Sequence, residues 1–279
     1  MKIIELLTFF NEVELLKVHI EEHWDFVDRF VISEAAHTYA KREKPYFFLE
    51  NAEVFKPYMG KIQYMPFDMS DSLFWGDTRA NQNIQQYWPL LRHPEWMRNY
   101  DYCVHNDLDE IVDRRHWPRL MEHLKTRPKQ VRLYLRQFRN YLDWEFPAFP
   151  YEVFRFSRLD GDARFLCPPT KRDYLTLFNE EPYGYHFTFM GGTDRVKYKL
   201  ANFMHYRNVT KEVLEGLQPN EYSMYYRDDK YGAPNVWTDG VKDEMPKSIQ
   251  DNWEFFKTWV SPEYPIEPAK DQPSKRFQR

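Results

Sequence analysis

"DYCVHNDLDEIVDRRHW", residues Asp101 to Trp117, decides how this chain folds. A largely apolar segment runs straight into Asp107, Asp109 and Glu110, and such a run reads as a buried strand that delivers carboxylates at its end. Packed together the three acids repel, and each is costly to desolvate unless something positive sits among them. In an open parallel sheet, ligands bind beyond the carboxyl ends of the strands, which is where these acids fall. In extended backbone Asp107 and Asp109 point the same way, and one divalent cation can bridge their charge. Hard oxygen donors favour Mg²⁺ or Mn²⁺, ions that usually share their shell with substrate phosphates. An isolated D-x-D is more often a solvated acidic turn; here the apolar lead-in and the following Glu110-Ile111 weigh against that.

Upstream, "KIIELLTFF" (Lys2 to Phe10) reads as a buried strand, and "EVELLKVHIEEHW" has helical spacing at Val13, Leu16, Ile20 and Trp24. "FVDRFVISE" and "GKIQYMPF" are two further strands, and residues 78–91 a helix. Downstream, "WPRLMEHLKTRP" is a helix marked by Pro118 near its start and Pro128 beyond its end. "QVRLYLRQF" alternates, with Val131, Leu133 and Leu135 on one face and Arg132, Tyr134 and Arg136 on the other. Strand alternating with helix predicts an α/β fold: a doubly wound, mainly parallel sheet with helices on both faces and an aromatic-rich region after residue 140. One domain is expected over residues 1–260. The tail 261–279 holds four Pro and few core residues, and is expected to be extended or disordered.

The 279 residues are 42 % hydrophobic and 29 % charged, an ordinary globular composition, with 18 % aromatic residues. A net charge of −4 argues against a generally basic nucleic-acid binder. Residues 129–172 nevertheless carry nine Lys/Arg against five Asp/Glu, enough for a local anion site. Two cysteines, Cys103 and Cys167, make neither a disulfide framework nor a zinc site, and Cys103 reads as a buried thiol. The N-terminus meets acids too early for a signal peptide, and no apolar run reaches membrane length. The expectation is a cytoplasmic protein with no membrane partner. "HIEEH" (His19 to His23) matches the H-x-x-E-H pattern of some zinc peptidases, but no third ligand is apparent, and it is read as a chance match on an exposed helix.

"TFFNEVELLKVHIEE", "VDRFVISEAAHT", "NDLDEI", "GYHFTF" and "KLANFMHY" occur in an order that resembles glycosyltransferase family 17, over roughly residues 1–210. The resemblance implies a nucleotide-sugar-binding GT-A-type fold. It makes Asp107 and Asp109 the D-x-D that holds Mn²⁺ or Mg²⁺ and the donor diphosphate, with His186 completing the metal shell and His205 as runner-up. Asn11, Glu12 and Glu34, with Asn83 on the helix after the third strand, would line the donor pocket. Gln82 stands where the family pattern has a basic residue.

The implied reaction is inverting transfer from a nucleotide-sugar, a UDP-sugar first, to a saccharide or glycoconjugate hydroxyl, and it needs a general base. Asp143 and Glu145 in "NYLDWEFP" are the candidates, beside Trp144 as a sugar platform, with Glu181 as a fallback. Two alternatives stand beside this: transfer onto a polyanion such as modified DNA, suggested by the basic segment, and a non-catalytic nucleotide-sugar or carbohydrate-binding protein.

Overall fold

A computed structural model describes residues 1–68, 78–146, 151–159, 174–177, 181–203, 206–216, 235–236 and 240–261. The tail beyond Ser261, His205 and Cys167 lie outside the described residues. The N-terminal half alternates β1 (Ile3–Phe9), α1 (Val13–His23), β2 (Arg29–Ala35), the short helices α2 (Phe47–Glu50) and α3 (Ala52–Phe55), and β3 (Ile62–Phe67). It continues through α4 (Thr78–Arg92), α5 (Trp96–Asn99), β4 (Tyr102–Asp107), β5 (Glu110–Val112) and α6 (Trp117–Lys125). Then come β6 (Gln130–Arg139), β7 (Trp144–Glu145), β8 (Tyr151–Arg158), β9 (Tyr174–Leu177), β10 (Gly184–Thr188), α7 (Thr193–Asn202), α8 (Lys211–Gly216), β11 (Asn235–Val236) and three short helices, α9 (Val241–Glu244), α10 (Lys247–Asp251) and α11 (Trp253–Phe256).

The strands form one sheet in the order β11-β7-β6-β8-β4-β1-β2-β3, with β10 joined to β5 and β6, and β9 to β6. It is parallel from β4 to β3 and mixed beyond, so the mainly parallel α/β class expected from the sequence is the class observed. Residues Ile3 and Leu7 of β1 enter the core cluster that α1 covers, while Ile4 and Leu6 enter the cluster containing Leu90 of α4 and Trp96 of α5. Side chains of a strand alternate between faces, so helices cover both sides of the sheet. A strand buried on both faces reads as a continuous apolar run, which is why Lys2 to Phe10 was legible. Cys103 is fully buried, as expected, and burial pushes its thiol pKa up.

Two features position the site. After β1, β2 and β3 are laid to one side, the chain crosses to place β4 against the other edge of β1, with Thr8 opposite Asp107. That reversal is a topological switch point, where the ends of two neighbouring strands splay apart and leave a crevice. The second feature is β10, which pairs with β5 and brings His186 opposite Glu110. A Cβ on Gly184 would lie 2.0 Å from the Ile111 carbonyl oxygen, so glycine is what permits this approach.

Candidate active site

The acids do not leave β4 in extended backbone as the sequence suggested. Leu108 and Asp109 form a two-residue turn between β4 and β5, leaving Asp107 exposed and Asp109 buried. The turn is fastened by the Phe187 N–H, which donates to the Asp109 carbonyl at 2.8 Å. The positive partner these acids require is Lys199 of α7. Its Nζ donates to Asp109 Oδ2 at 3.1 Å and stands 3.0 Å from Glu12 Oε1. Burial alone would raise the Asp109 pKa, but the Lys199 ammonium and then His186 outweigh it and hold the carboxyl below its ordinary range. Burial would likewise lower the Lys199 pKa, and Asp109 and Glu12 push it up instead.

His186 Nε2 lies 3.7 Å from Asp109 Oδ1, and burial pushes the imidazole down to about 4. At neutral pH it is therefore an uncharged donor. Asp107, Asp109 and His186 all line one cleft of about 360 Å³, in the size range of small-molecule sites. Its floor and walls include Thr8 of β1 and Phe10 just beyond it, Glu12 before α1, and Gln82 of α4. Gln137 and Arg139 come from the end of β6, Thr188 and Phe189 from the end of β10, and Asn202 and Phe203 from α7 and beyond. Tyr39 joins them, its hydroxyl donating to Gln85 of α4 at 3.0 Å. Phe189 holds a left-handed backbone, φ 58°, an uncommon conformation for an aromatic residue and one that clusters at functional sites. Phe10 stacks on Tyr198 at 5.5 Å between ring centroids, leaving the cleft with polar and aromatic surfaces side by side.

Other expected residues are placed elsewhere. Asn11 lines a small adjoining hollow with Glu12, and its carbonyl accepts from Arg195. Glu34 is buried and does not line the cleft. It accepts from Lys44 Nζ, the Tyr64 hydroxyl and the backbone N–H groups of Phe47 and Phe48, so it organises the start of α2. Asn83 points to solvent on α4; its neighbour Gln82 is the one that reaches the cleft.

Asp143 and Glu145 do not line the cleft either. Asp143 accepts from the Ser261 N–H at 2.8 Å and from the Ser261 hydroxyl, while burial pushes its carboxyl pKa up. Glu145 takes two parallel bonds from Arg136, at 2.8 and 2.9 Å. Trp144 is buried edge-on against Tyr141, at 4.8 Å, and offers no open face for a sugar. Glu181 is exposed and outside the cleft. His19 and His23, expected on an exposed helix face, are instead fully buried.

Lys199, Asn202 and Gln137 are among the cleft residues that sequence reasoning missed, while Arg139 comes from the basic segment 129–172 that suggested an anion site. The odd-numbered face of β6 carries a usable signal: Val131, Leu133 and Leu135 give way to Gln137 and Arg139, and the change marks where core ends and cleft begins. Lys199 and Asn202 lie within the quoted "KLANFMHY", although nothing local singles them out.

Residues 1–157 match the family model described as Glycosyltransferase family 17. No curated protein matches the chain. Among solved structures, 4-diphosphocytidyl-2C-methyl-D-erythritol synthase from Anaerococcus prevotii is similar at 7 % identity and a TM-score of 0.38, over 65 % of this chain and 90 % of that one. Mannose-1-phosphate geranyltransferase from Thermus thermophilus is similar at 14 % identity and a TM-score of 0.29, over 57 % of this chain and 50 % of that one. Among the described residues, no helix is long and apolar enough to cross a membrane.

Proposed function

The chain belongs to glycosyltransferase family 17, and on that premise we propose that it transfers a sugar from a nucleotide-sugar, UDP-linked, to a hydroxyl of a saccharide or glycoconjugate, with inversion and with the help of Mn²⁺ or Mg²⁺. The observation that carries the reading is Asp109. It sits at the switch point of the sheet, in the wall of the cleft, with Lys199 3.1 Å from one oxygen and His186 3.7 Å from the other.

The donor types suit a divalent cation: His186 and Asp109 already stand close, and Asp107 would have to turn toward them, because the three do not all come within 4.8 Å of one another. Two carboxylates and a neutral imidazole are the oxygen and nitrogen ligands that Mn²⁺ accepts, and the 3.7 Å between His186 and Asp109 suits two ligands of one ion with bonds of about 2.0–2.2 Å. Asp107, Asp109 and His186 would hold it, and when bound it neutralises charge on the diphosphate leaving group. Lys199 supplies a fixed positive charge at the same place, already oriented by Glu12 and Asp109, so little reorganisation is needed as the leaving group gains charge. Phe10, Tyr39, Phe189 and Phe203 offer flat apolar faces to the base and sugar rings, while Gln82, Gln137 and Asn202 can bond to ring hydroxyls.

A saccharide acceptor is favoured over a polyanion by the arginines of β6. A polyanion calls for several cations along one open path. Arg136 is closed by Glu145 and Glu244, and of the β6 arginines it is Arg139 that lines the cleft. Calorimetric titration of UDP into the full chain tests the proposal. Binding that requires Mn²⁺ and is lost in Asp109→Ala supports it. Equal binding without a cation overturns the metal role, and no binding of UDP in either condition overturns the donor.

A further inference from the structure

Glu5, His19 and His23 are fully buried beneath the cleft and take no part in lining it. Glu5 lies mid-strand in β1, and the two histidines lie one helical turn apart on α1, their rings 4.2 Å from each other. His19 Nε2 meets Glu5 Oε1 at 2.9 Å, and His23 Nδ1 meets Glu5 Oε2 at 2.9 Å. The outer ring nitrogens both reach the segment from β4 through β5 that carries the two aspartates. His19 Nδ1 donates to the Leu108 carbonyl at 2.9 Å, and the Val112 N–H donates to His23 Nε2 at 3.0 Å. Leu108 stands between Asp107 and Asp109, and Val112 closes β5.

Three ligand atoms within 4.8 Å of one another invite a zinc reading. The hydrogen bonds exclude it. An N–H pointing at His23 Nε2 needs a lone pair there, so the ring proton of His23 sits on Nδ1 and is donated to Glu5. That nitrogen then has no lone pair for a metal. His19 and Glu5 would be left with too few donors for a closed structural site. The trio is a chain of hydrogen bonds, running from the Leu108 carbonyl through His19, Glu5 and His23 to the Val112 amide. Burial alone would raise the Glu5 pKa, but His23 and His19 outweigh it and hold the group as a carboxylate, at about 2.

Ordinary apolar side chains would fill this space without the desolvation cost of a buried acid. A turn lying over a sheet, however, has backbone groups that no ladder satisfies, and they need partners. We propose that Glu5, His19 and His23 are positioning residues that hold the turn from β4 into β5, which carries Asp107 and Asp109, the first by bracing both rings and the rings by gripping this segment at Leu108 and Val112. For donor binding this rests on the reading of the two aspartates given above; the grip on the turn does not.

Two substitutions at one position separate positioning from mere packing. His19→Asn places its amide near the former Nδ1 and keeps the bond to Leu108, whereas His19→Gln reaches the former Nε2, keeps Glu5 and releases Leu108. In the full chain, peptide-resolved hydrogen exchange over residues 107–112 is measured for both, together with calorimetric binding of UDP in Mn²⁺. The expected result is faster exchange and about tenfold weaker UDP binding in His19→Gln, with His19→Asn close to the wild type in both, as for residues that orient a metal ligand from behind. Indistinguishable exchange in the two variants overturns the proposal. If the wild type binds neither Mn²⁺ nor UDP while exchange still separates the variants, the donor reading fails and the hold on the turn stands. Should either variant not fold, the ring nitrogens of the wild type decide by ¹⁵N NMR: His23 protonated at Nδ1 and bare at Nε2 supports the chain of bonds, and the opposite tautomer breaks it.

Discussion

The acid pair at the end of β4, Asp107 and Asp109, and the pair just beyond β6, Asp143 and Glu145, have opposite fates. Each pair lies beside aromatic residues and near a cation, and by local sequence the second is as good a candidate for chemistry as the first. The difference is in what completes each carboxylate. Glu145 is closed by a two-pronged bond from Arg136, and Asp143 by the amide and hydroxyl of Ser261, so their oxygens are engaged in holding loops to the sheet. Asp109 is met by a lysine and a histidine that both face a cleft, and Asp107 is exposed at its rim. The oxygens of one pair are turned into the fold, and those of the other share an opening onto a cavity with their partners.

The sharpest way to break this contrast is Asp109→Ala. Turnover of the nucleotide-sugar is expected to fall by about 10³-fold, roughly 4 kcal/mol of transition-state stabilisation, as when a preorganised charge is removed from a transferase site. The melting temperature should change little, because Lys199 retains Glu12. Wild-type turnover in the variant removes Asp109 from the site.

Glu5 extends the comparison to an acid that is closed by histidines. Its carboxyl is held at about 2 against an ordinary 4.5. The resulting stability is present above the unfolded value and is lost as pH falls from 4.5 toward 2, up to about 3 kcal/mol in all. His23, pushed down from 6.5 by burial, adds a loss of the same sign as the unfolded chain takes up its proton first. Urea midpoints measured from neutral pH to about pH 3 should therefore fall more steeply in the wild type than in Glu5→Gln. Parallel curves would show that the acid limb belongs to other groups.

Lys199→Met asks whether the cation beside Asp109 is part of the ligand site or part of the fold. Without the ammonium, Asp109 and Glu12 lose their shared partner, so Mn²⁺ alone should bind about tenfold more tightly, near 1.4 kcal/mol. UDP, deprived of a positive contact, should bind more weakly by a similar factor. Calorimetry of each ligand separately checks both directions, and a change of the same sign for both contradicts the assignment.

The strands β1 to β4 and helices α1 and α6 were legible because apolar runs and proline positions are local signals. That Asp107, Asp109 and His186 come to one cleft was reachable by a strand-end rule joined to a family resemblance. What the sequence could not show was pairing over distance. Asp143 meets Ser261 118 positions away, and Lys199 meets Asp109 90 positions away. Glu34 illustrates the same limit: its place at a strand end suggested ligand contact, yet its four partners close it completely. Inward-facing His19 and His23 were misread because "HIEEH" is polar by composition, and only Glu5 beneath the helix explains why both are buried.

The smallest effects are expected at the second acid pair, and they are the control for the first. Glu145→Gln leaves Arg136 with Glu244 and a neutral amide in place of a carboxylate. Arg136 is 17 % exposed, so solvent screens part of the loss, and a cost of about 1–2 kcal/mol is expected. For a chain of this size that is a fall of roughly 2–8 °C in melting temperature. Asp143→Asn should cost less still. Burial already disfavours the Asp143 charge, and asparagine keeps one oxygen to accept from the Ser261 amide. Both variants are expected to retain turnover within about threefold, well short of the 10²–10⁴-fold that a missing general base costs. A loss of that larger size in either variant, with the melting temperature unchanged, would return the base to this pair and require the loop that carries it to reach the cleft during turnover.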